Sequence, residues 1–161
     1  MVVLRPVARR LSLPVAAAVL ALCAAAGGSA SPRATCLPTP PDGFGPFGRG
    51  VPPLRAKTGT GHVLTGRIVS ALGCVPLRRA QVQFWQSDGR GRYTRALSAT
   101  VLTARSGGFH YQSPRPVSYE GREPHIHIRV IARDHEPLLT RYVPRGTRRG
   151  HLRLVLVPSA L

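Results

Sequence analysis

Carboxylates are scarce in this 161-residue chain, which sets six Asp and Glu against 23 Lys and Arg. Asp42, Asp88, Glu120, Glu123, Asp134 and Glu136 form no evident cluster, which argues against an acid/base pair of carboxylates and against a carboxylate-built metal site. No segment shows a 3.6-residue apolar period with start and stop signals, so helix-bearing α/β architectures find no support. There is no internal repeat. One apolar stretch, Leu11 to Ala26, is shorter than the roughly 20 residues of a membrane-spanning helix, and no second run follows it. A transmembrane anchor is therefore not expected.

That apolar stretch follows Arg5, Arg9 and Arg10 and ends in Gly28, Ser29 and Ala30, the layout of a secretory signal over residues 1–30 with cleavage near Ala30. Arg9-Arg10 before Leu11-Ser12-Leu13 also fits a twin-arginine signal, against the plainer reading of two ordinary arginines. The expected location is exported: periplasmic, cell-surface or extracellular. Of the three cysteines, Cys23 lies in the leader, leaving Cys36 and Cys74 as an even pair for an oxidising compartment, where we expect a disulfide.

The net charge of +17 belongs almost wholly to arginine, since Lys57 is the single lysine. Such a surface attracts polyanions through a long-range field that carries no sequence specificity. With export expected, no specific nucleic-acid partner follows, and acidic substrates, cell-wall polymers or anionic surfaces fit better.

Residues 31–60 are rich in Pro and Gly and read as an extended arm on a domain surface. Beyond them, residues 63–69, 80–85, 93–102, 109–112, 125–132, 138–143 and 152–157 carry β-branched or aromatic residues, often alternating with polar ones. Turn signals separate them at 73–76, 88–91, 106–108, 114–116 and 146–150. The fold class this predicts is all-β: an immunoglobulin-like antiparallel β-sandwich over residues 61–161 with an extended N-terminal arm.

The segment His125-Ile126-His127-Ile128-Arg129-Val130 places Ile126, Ile128 and Val130 on one strand face and both histidines on the other. Their Cβ atoms would be about 6 to 7 Å apart, so two imidazoles could converge on one ion. Read alone, the tripeptide is equally two polar residues on a solvated strand. Tyr93 and Tyr119 stand at turns or strand ends, where a phenol can reach across a surface. Two phenolates with hydroxide would balance a ferric charge, with two neutral imidazoles completing a five-coordinate site. Taken singly, each tyrosine is an ordinary amphipathic sheet residue.

Leu64-Thr65-Gly66-Arg67-Ile68-Val69, Gly73-Cys74-Val75-Pro76-Leu77, Ala80-Gln81-Val82, Trp85-Gln86-Ser87-Asp88 and Gly91-Arg92-Tyr93 together resemble the intradiol ring-cleavage dioxygenases up to their first tyrosine ligand. Gly107, Phe109, Tyr111, Ser113, Pro116 and Tyr119 keep that family's spacing, and Tyr119-Glu120-Gly121-Arg122-Glu123-Pro124-His125-Ile126-His127 is similar to its closing signature. Thr39-Pro40 and Gly45-Pro46-Phe47 resemble its lead-in. The resemblance spans about residues 36–143. It implies Tyr93, Tyr119, His125 and His127 as ligands of a non-haem Fe(III), and Arg122 with Tyr119 as catalytic residues. It implies a catechol-type substrate opened by O2 between its hydroxyl-bearing carbons to a muconate-type diacid, with no external reductant. Tyr111 and Trp85 are read as packing or pocket-wall residues.

The chain departs from the family in its compactness, lacking room for the helical dimerisation segment of some members, so a homodimer stays open. It also carries Arg141 after Thr140, where many relatives have glutamine. Two other readings stand beside the enzyme: an exported basic sandwich module for acidic polymers, and a non-catalytic relative that sequesters metal or catechol.

Overall fold

The computed structural model describes residues 35–42 and 50–160, so the expected leader, Cys23 and the Gly45-Pro46-Phe47 segment lie outside the described residues. Seven strands follow in order: β1 (Gly61–Ser70), β2 (Gln81–Ser87), β3 (Tyr93–Leu102), β4 (Gly108–Pro114), β5 (Ile126–Ile131), β6 (Leu138–Tyr142) and β7 (Arg149–Leu156). They match the seven expected segments, and no helix occurs among the described residues. A three-stranded sheet, β4-β1-β7, faces a four-stranded sheet, β3-β2-β5-β6.

Alternation explains which side chains fill the space between the sheets. Leu64 and Ile68 of β1 meet Phe84 of β2 and Ile126, Ile128 and Val130 of β5, all wholly buried. Tyr111 of β4 stacks on Phe84 with ring centroids 4.2 Å apart and planes 5° apart, and its hydroxyl pairs with Thr58 Oγ1 at 2.8 Å. It is a packing residue, as the sequence suggests.

One strand pair departs from an antiparallel sandwich. β1 and β7, the first and last strands, run parallel from Val63↔Arg149 to Ser70↔Leu156. No hairpin joins them, so nothing in the connection imposes an antiparallel pairing.

The arm covers edges rather than merely lying on a face. Thr39 exchanges hydrogen bonds with Val155 of β7, its N–H at 3.1 Å and its Oγ1 accepting at 2.8 Å, while Asp42 N–H donates to Leu139 O of β6 at 2.8 Å. Arg55 N–H reaches Thr100 O of β3 at 3.0 Å and Thr58 N–H reaches Gln112 O of β4 at 2.8 Å. Each half of the arm thus ties the outer strand of one sheet to that of the other, satisfying edge groups that would otherwise template aggregation. Cys36 and Cys74 form the expected disulfide, with Cα atoms 5.4 Å apart, which fixes the arm to the β1–β2 connection.

Candidate functional site

On β5 the alternation puts His127 on the sheet face turned away from the core, directly across from Trp85 of β2 and Arg141 of β6. This outer face is not solvated. Gln83, Trp85 and His127 keep 2%, 4% and 2% of their surface exposed, so a further layer of chain covers the middle of the sheet. His125 precedes β5 rather than lying in it, yet its ring turns to the same side and is also buried. The solvated-strand reading of the two histidines is therefore excluded.

Two turns deliver the phenols. Asp88 Oδ1 accepts from the N–H groups of Arg90 at 3.0 Å and Arg92 at 3.3 Å, and Oδ2 pairs with the Arg92 guanidinium at 2.7 Å. These bonds, the Arg90 N–H foremost, hold the Asp88 carboxyl below the usual carboxylate range and fix the loop that leads straight into Tyr93. The second turn is Tyr119-Glu120-Gly121-Arg122, closed by reciprocal bonds between Tyr119 and Arg122 of 3.3 and 2.8 Å. Its central residues have φ of 46° and 73°, the two-residue turn with positive φ at both positions. Gly91 packs beneath it: a Cβ there would fall 2.7 Å from Glu120 Oε1 and 3.5 Å from the Tyr119 ring.

The consequence is a convergence of four side chains. Tyr93 Oη lies 3.0 Å from His127 Nε2 and 3.4 Å from His125 Nε2; Tyr119 Oη lies 3.4 Å from His125 Nε2; and the two phenol oxygens touch each other. The two Nε2 atoms are 3.1 Å apart with their rings nearly perpendicular, at 87°. His125 Nδ1–H donates to Glu123 O at 2.7 Å, which leaves its Nε2 as a bare acceptor. Burial, then the neighbouring His125, pulls the His127 pKa down to about 4, so the His127 ring is neutral at pH 7. Burial and the Tyr119 hydroxyl push the Tyr93 phenol well above its ordinary value. Four oxygen and nitrogen donors crowded in a dry space, with lone pairs turned on one another, fit a hard or borderline cation. Among the described residues, no group of three or more His, Cys, Asp and Glu could hold a metal, so a search confined to those types would pass over this site.

Arg122 is exposed, with its guanidinium carbon 5.8 Å from the Tyr119 ring centroid. Its charge still acts on the centre, lowering the pKa of both Tyr93 and His127. Trp85 lines a groove of about 510 Å³ with Val51, Gln83, Pro137 and Leu139 on the same sheet face, as a pocket-wall residue should. Arg141 pairs with Asp42 of the arm at 2.6 Å. Sequence reasoning placed Asp88 at the start of a turn without its role in closing it, and did not single out the Asp42–Arg141 pair. For Asp88 a signal existed, since Asp-Gly-Arg-Gly before Tyr93 is a side-chain-closed turn.

No family model and no curated protein matches this chain by sequence. Solved structures do match by shape. The dioxygenase domain of a dioxygenase and carbohydrate-binding protein fusion from Streptomyces sp. SirexAA-E aligns with a TM-score of 0.68 at 24% identity, over 76% of this chain and 99% of that one. An intradiol ring-cleavage dioxygenase from Tetranychus urticae aligns at 0.67 and 20% identity, over 78% and 97%. Hydroxyquinol 1,2-dioxygenase from Pseudomonas putida aligns at 0.59 and 15% identity, over 78% and 67%. The chain has the fold of the intradiol ring-cleavage dioxygenases.

Proposed function

We propose that this chain is an exported non-haem Fe(III) intradiol dioxygenase that opens a catechol-type ring between its hydroxyl-bearing carbons. The observation that carries the reading is the meeting of Tyr93, Tyr119, His125 and His127 donor atoms in a buried space on a fold shared with such enzymes. These four would hold the iron. When bound there, Fe(III) would supply a Lewis acid that takes both catechol oxygens and draws electron density from the ring.

The chain's own groups then have defined work. A catechol has two hydroxyl protons to lose: Tyr119 Oη, beside His125 Nε2 and Tyr93 Oη, would accept one as a phenolate, and the other would pass to solvent. Arg122, already felt electrostatically at Tyr93 and His127, stabilises negative charge developing on the substrate. The low exposure of His125, His127 and Tyr119 keeps water from competing and strengthens each of these interactions. The Glu123 carbonyl holds the His125 ring in a single tautomer.

Oxygen uptake by the Fe(III)-loaded chain with catechol, hydroxyquinol and 3-chlorocatechol, followed by product identification, tests the activity. Muconate-type diacids are the expected products. Iron binding with no oxygen consumed on any of the three would favour the sequestering relative instead.

A further inference from the structure

The outer face of the three-stranded sheet, on the opposite side of the sandwich from the four-donor site, carries charge of one sign. Register places its exposed side chains in rows. Val63 of β1 stands between Gln112 of β4 and Arg149 of β7; Thr65 between His110 and His151; and Arg67 between Gly108 and Arg153. The arm extends the first row, because Lys57 pairs in parallel with Gln112 and so shares its face. Lys57, Arg67, Arg149 and Arg153 are all exposed, as are His110 and His151. None of the chain's six acidic residues lies on these strands: Asp42 is in the arm, Asp88 in the β2–β3 turn, Glu120 and Glu123 before β5, Asp134 and Glu136 after it. The ion pairs between described residues, Arg92–Asp88, Arg133–Asp134 and Arg141–Asp42, all lie off this face. Arg153 Nη2 donates to Cys36 Sγ at 2.8 Å, and Arg149, at the end of β7, lines a pocket at the sheet edge with Asp42 and Glu123.

We propose that this face binds an extended anionic polysaccharide. Charge complementarity selects a polyanion, and arginine forks suit carboxylate and sulfate oxygens. Between the cations stand Thr65, Gln112, His110 and His151, neutral donors and acceptors matched to sugar hydroxyls, with Thr65 Oγ1 and His151 Nδ1 already 3.1 Å apart. Cations on adjacent strands sit roughly 5 Å apart and those four residues apart on one strand roughly 13 Å, a grid along which a linear polymer can lie. Among the described residues the face has no Phe, Tyr or Trp on which single-stranded bases would stack. Its apolar residues among those described, the half-buried Val63 and Pro114 and the buried Val69 and Val155, expose too little surface to enter a bilayer, and the face presents no helix to a duplex groove.

The test uses the full chain and polygalacturonate as the probe, at about 0.1 M salt, where the Debye length is about 10 Å. Two quadruple variants remove equal charge: Lys57→Gln/Arg67→Gln/Arg149→Gln/Arg153→Gln on the face, and Arg78→Gln/Arg90→Gln/Arg95→Gln/Arg129→Gln elsewhere. All eight positions are exposed, and far-UV circular dichroism verifies that each variant folds. The face variant should weaken binding by about tenfold or more and the other by less than about twofold, since only charges at the contact release counterions on binding. Equal losses would overturn the proposal by reducing the effect to net charge. Tighter binding of duplex DNA, or of vesicles containing phosphatidylglycerol, through the same four residues would overturn it by assigning the face to another partner. Ring cleavage is not involved in any of these outcomes.

Discussion

Tyr119 illustrates how much one atom carries. Its ring is buried, packed edge-on to Tyr93 at 6.1 Å between centroids, so removing the hydroxyl leaves the packing intact. Tyr119→Phe should therefore unfold at nearly the wild-type temperature, while the visible band of the Fe(III)-loaded protein shifts and turnover falls by roughly 10² or more, as losses of a proton acceptor do. Unchanged turnover would remove Tyr119 from the chemistry. A second residue acts on stability alone. His62 is wholly buried against Tyr142, with ring centroids 5.4 Å apart and neither ring nitrogen within hydrogen-bond geometry of a partner among the described residues. Burial lowers its pKa below 6.5, the Thr147 backbone opposing and nearby Arg115 reinforcing the shift. The unfolded chain then binds a proton that the folded chain refuses. Stability is full above about pH 6.5 and declines as pH falls below it. His62→Phe should flatten that decline below about pH 6.5 in urea unfolding; an unaltered profile would assign the acid sensitivity to other groups.

At the scale of elements, two turns and one strand end bring the donors together. β5 offers His127, and His125 just before it turns to the same side; the facing was legible in the sequence because Ile126, Ile128 and Val130 so plainly claim the other side. The phenols depend on loops. In the β2–β3 turn, Asp88→Ala removes the acceptor of two backbone N–H groups, and should weaken iron binding by loosening Tyr93 while the core, and hence the melting temperature, changes little. Gly91→Ala is the harsher test: it strains a residue at φ 74° and drives a methyl group towards Glu120 and the Tyr119 ring. Iron affinity should fall further than in Asp88→Ala. Equal affinity in wild type and Gly91→Ala would mean that Tyr119 is placed by something other than this contact. The sequence signalled the first turn through residues 88–91, but neither the turn at Glu120-Gly121 nor the burial of Gln83.

For the whole molecule, the arm and its disulfide tie the edges of the two sheets together. Local patterning predicted seven strands and two sheets, since each strand declares its buried face. The parallel β1–β7 pair and the arm's two edge seams could not be read in this way, because they join residues far apart in sequence with no pattern of their own. The Cys36–Cys74 bridge closes a separation of 38 residues, so Cys36→Ser with Cys74→Ser should lower stability by about 3 to 4 kcal/mol in the chain-entropy view. Urea unfolding of oxidised wild type and the double variant measures this, and a loss under about 1 kcal/mol would show that the arm stays docked without it.

Everything chemical in this account rests on two phenolates and two imidazoles meeting at one ferric ion. Titration of the full chain with Fe(III), followed by visible absorption, measures that directly. A broad charge-transfer band is expected that saturates at about one equivalent and is altered by Tyr93→Phe as well as by Tyr119→Phe. A folded protein that stays colourless at saturating iron would contradict it.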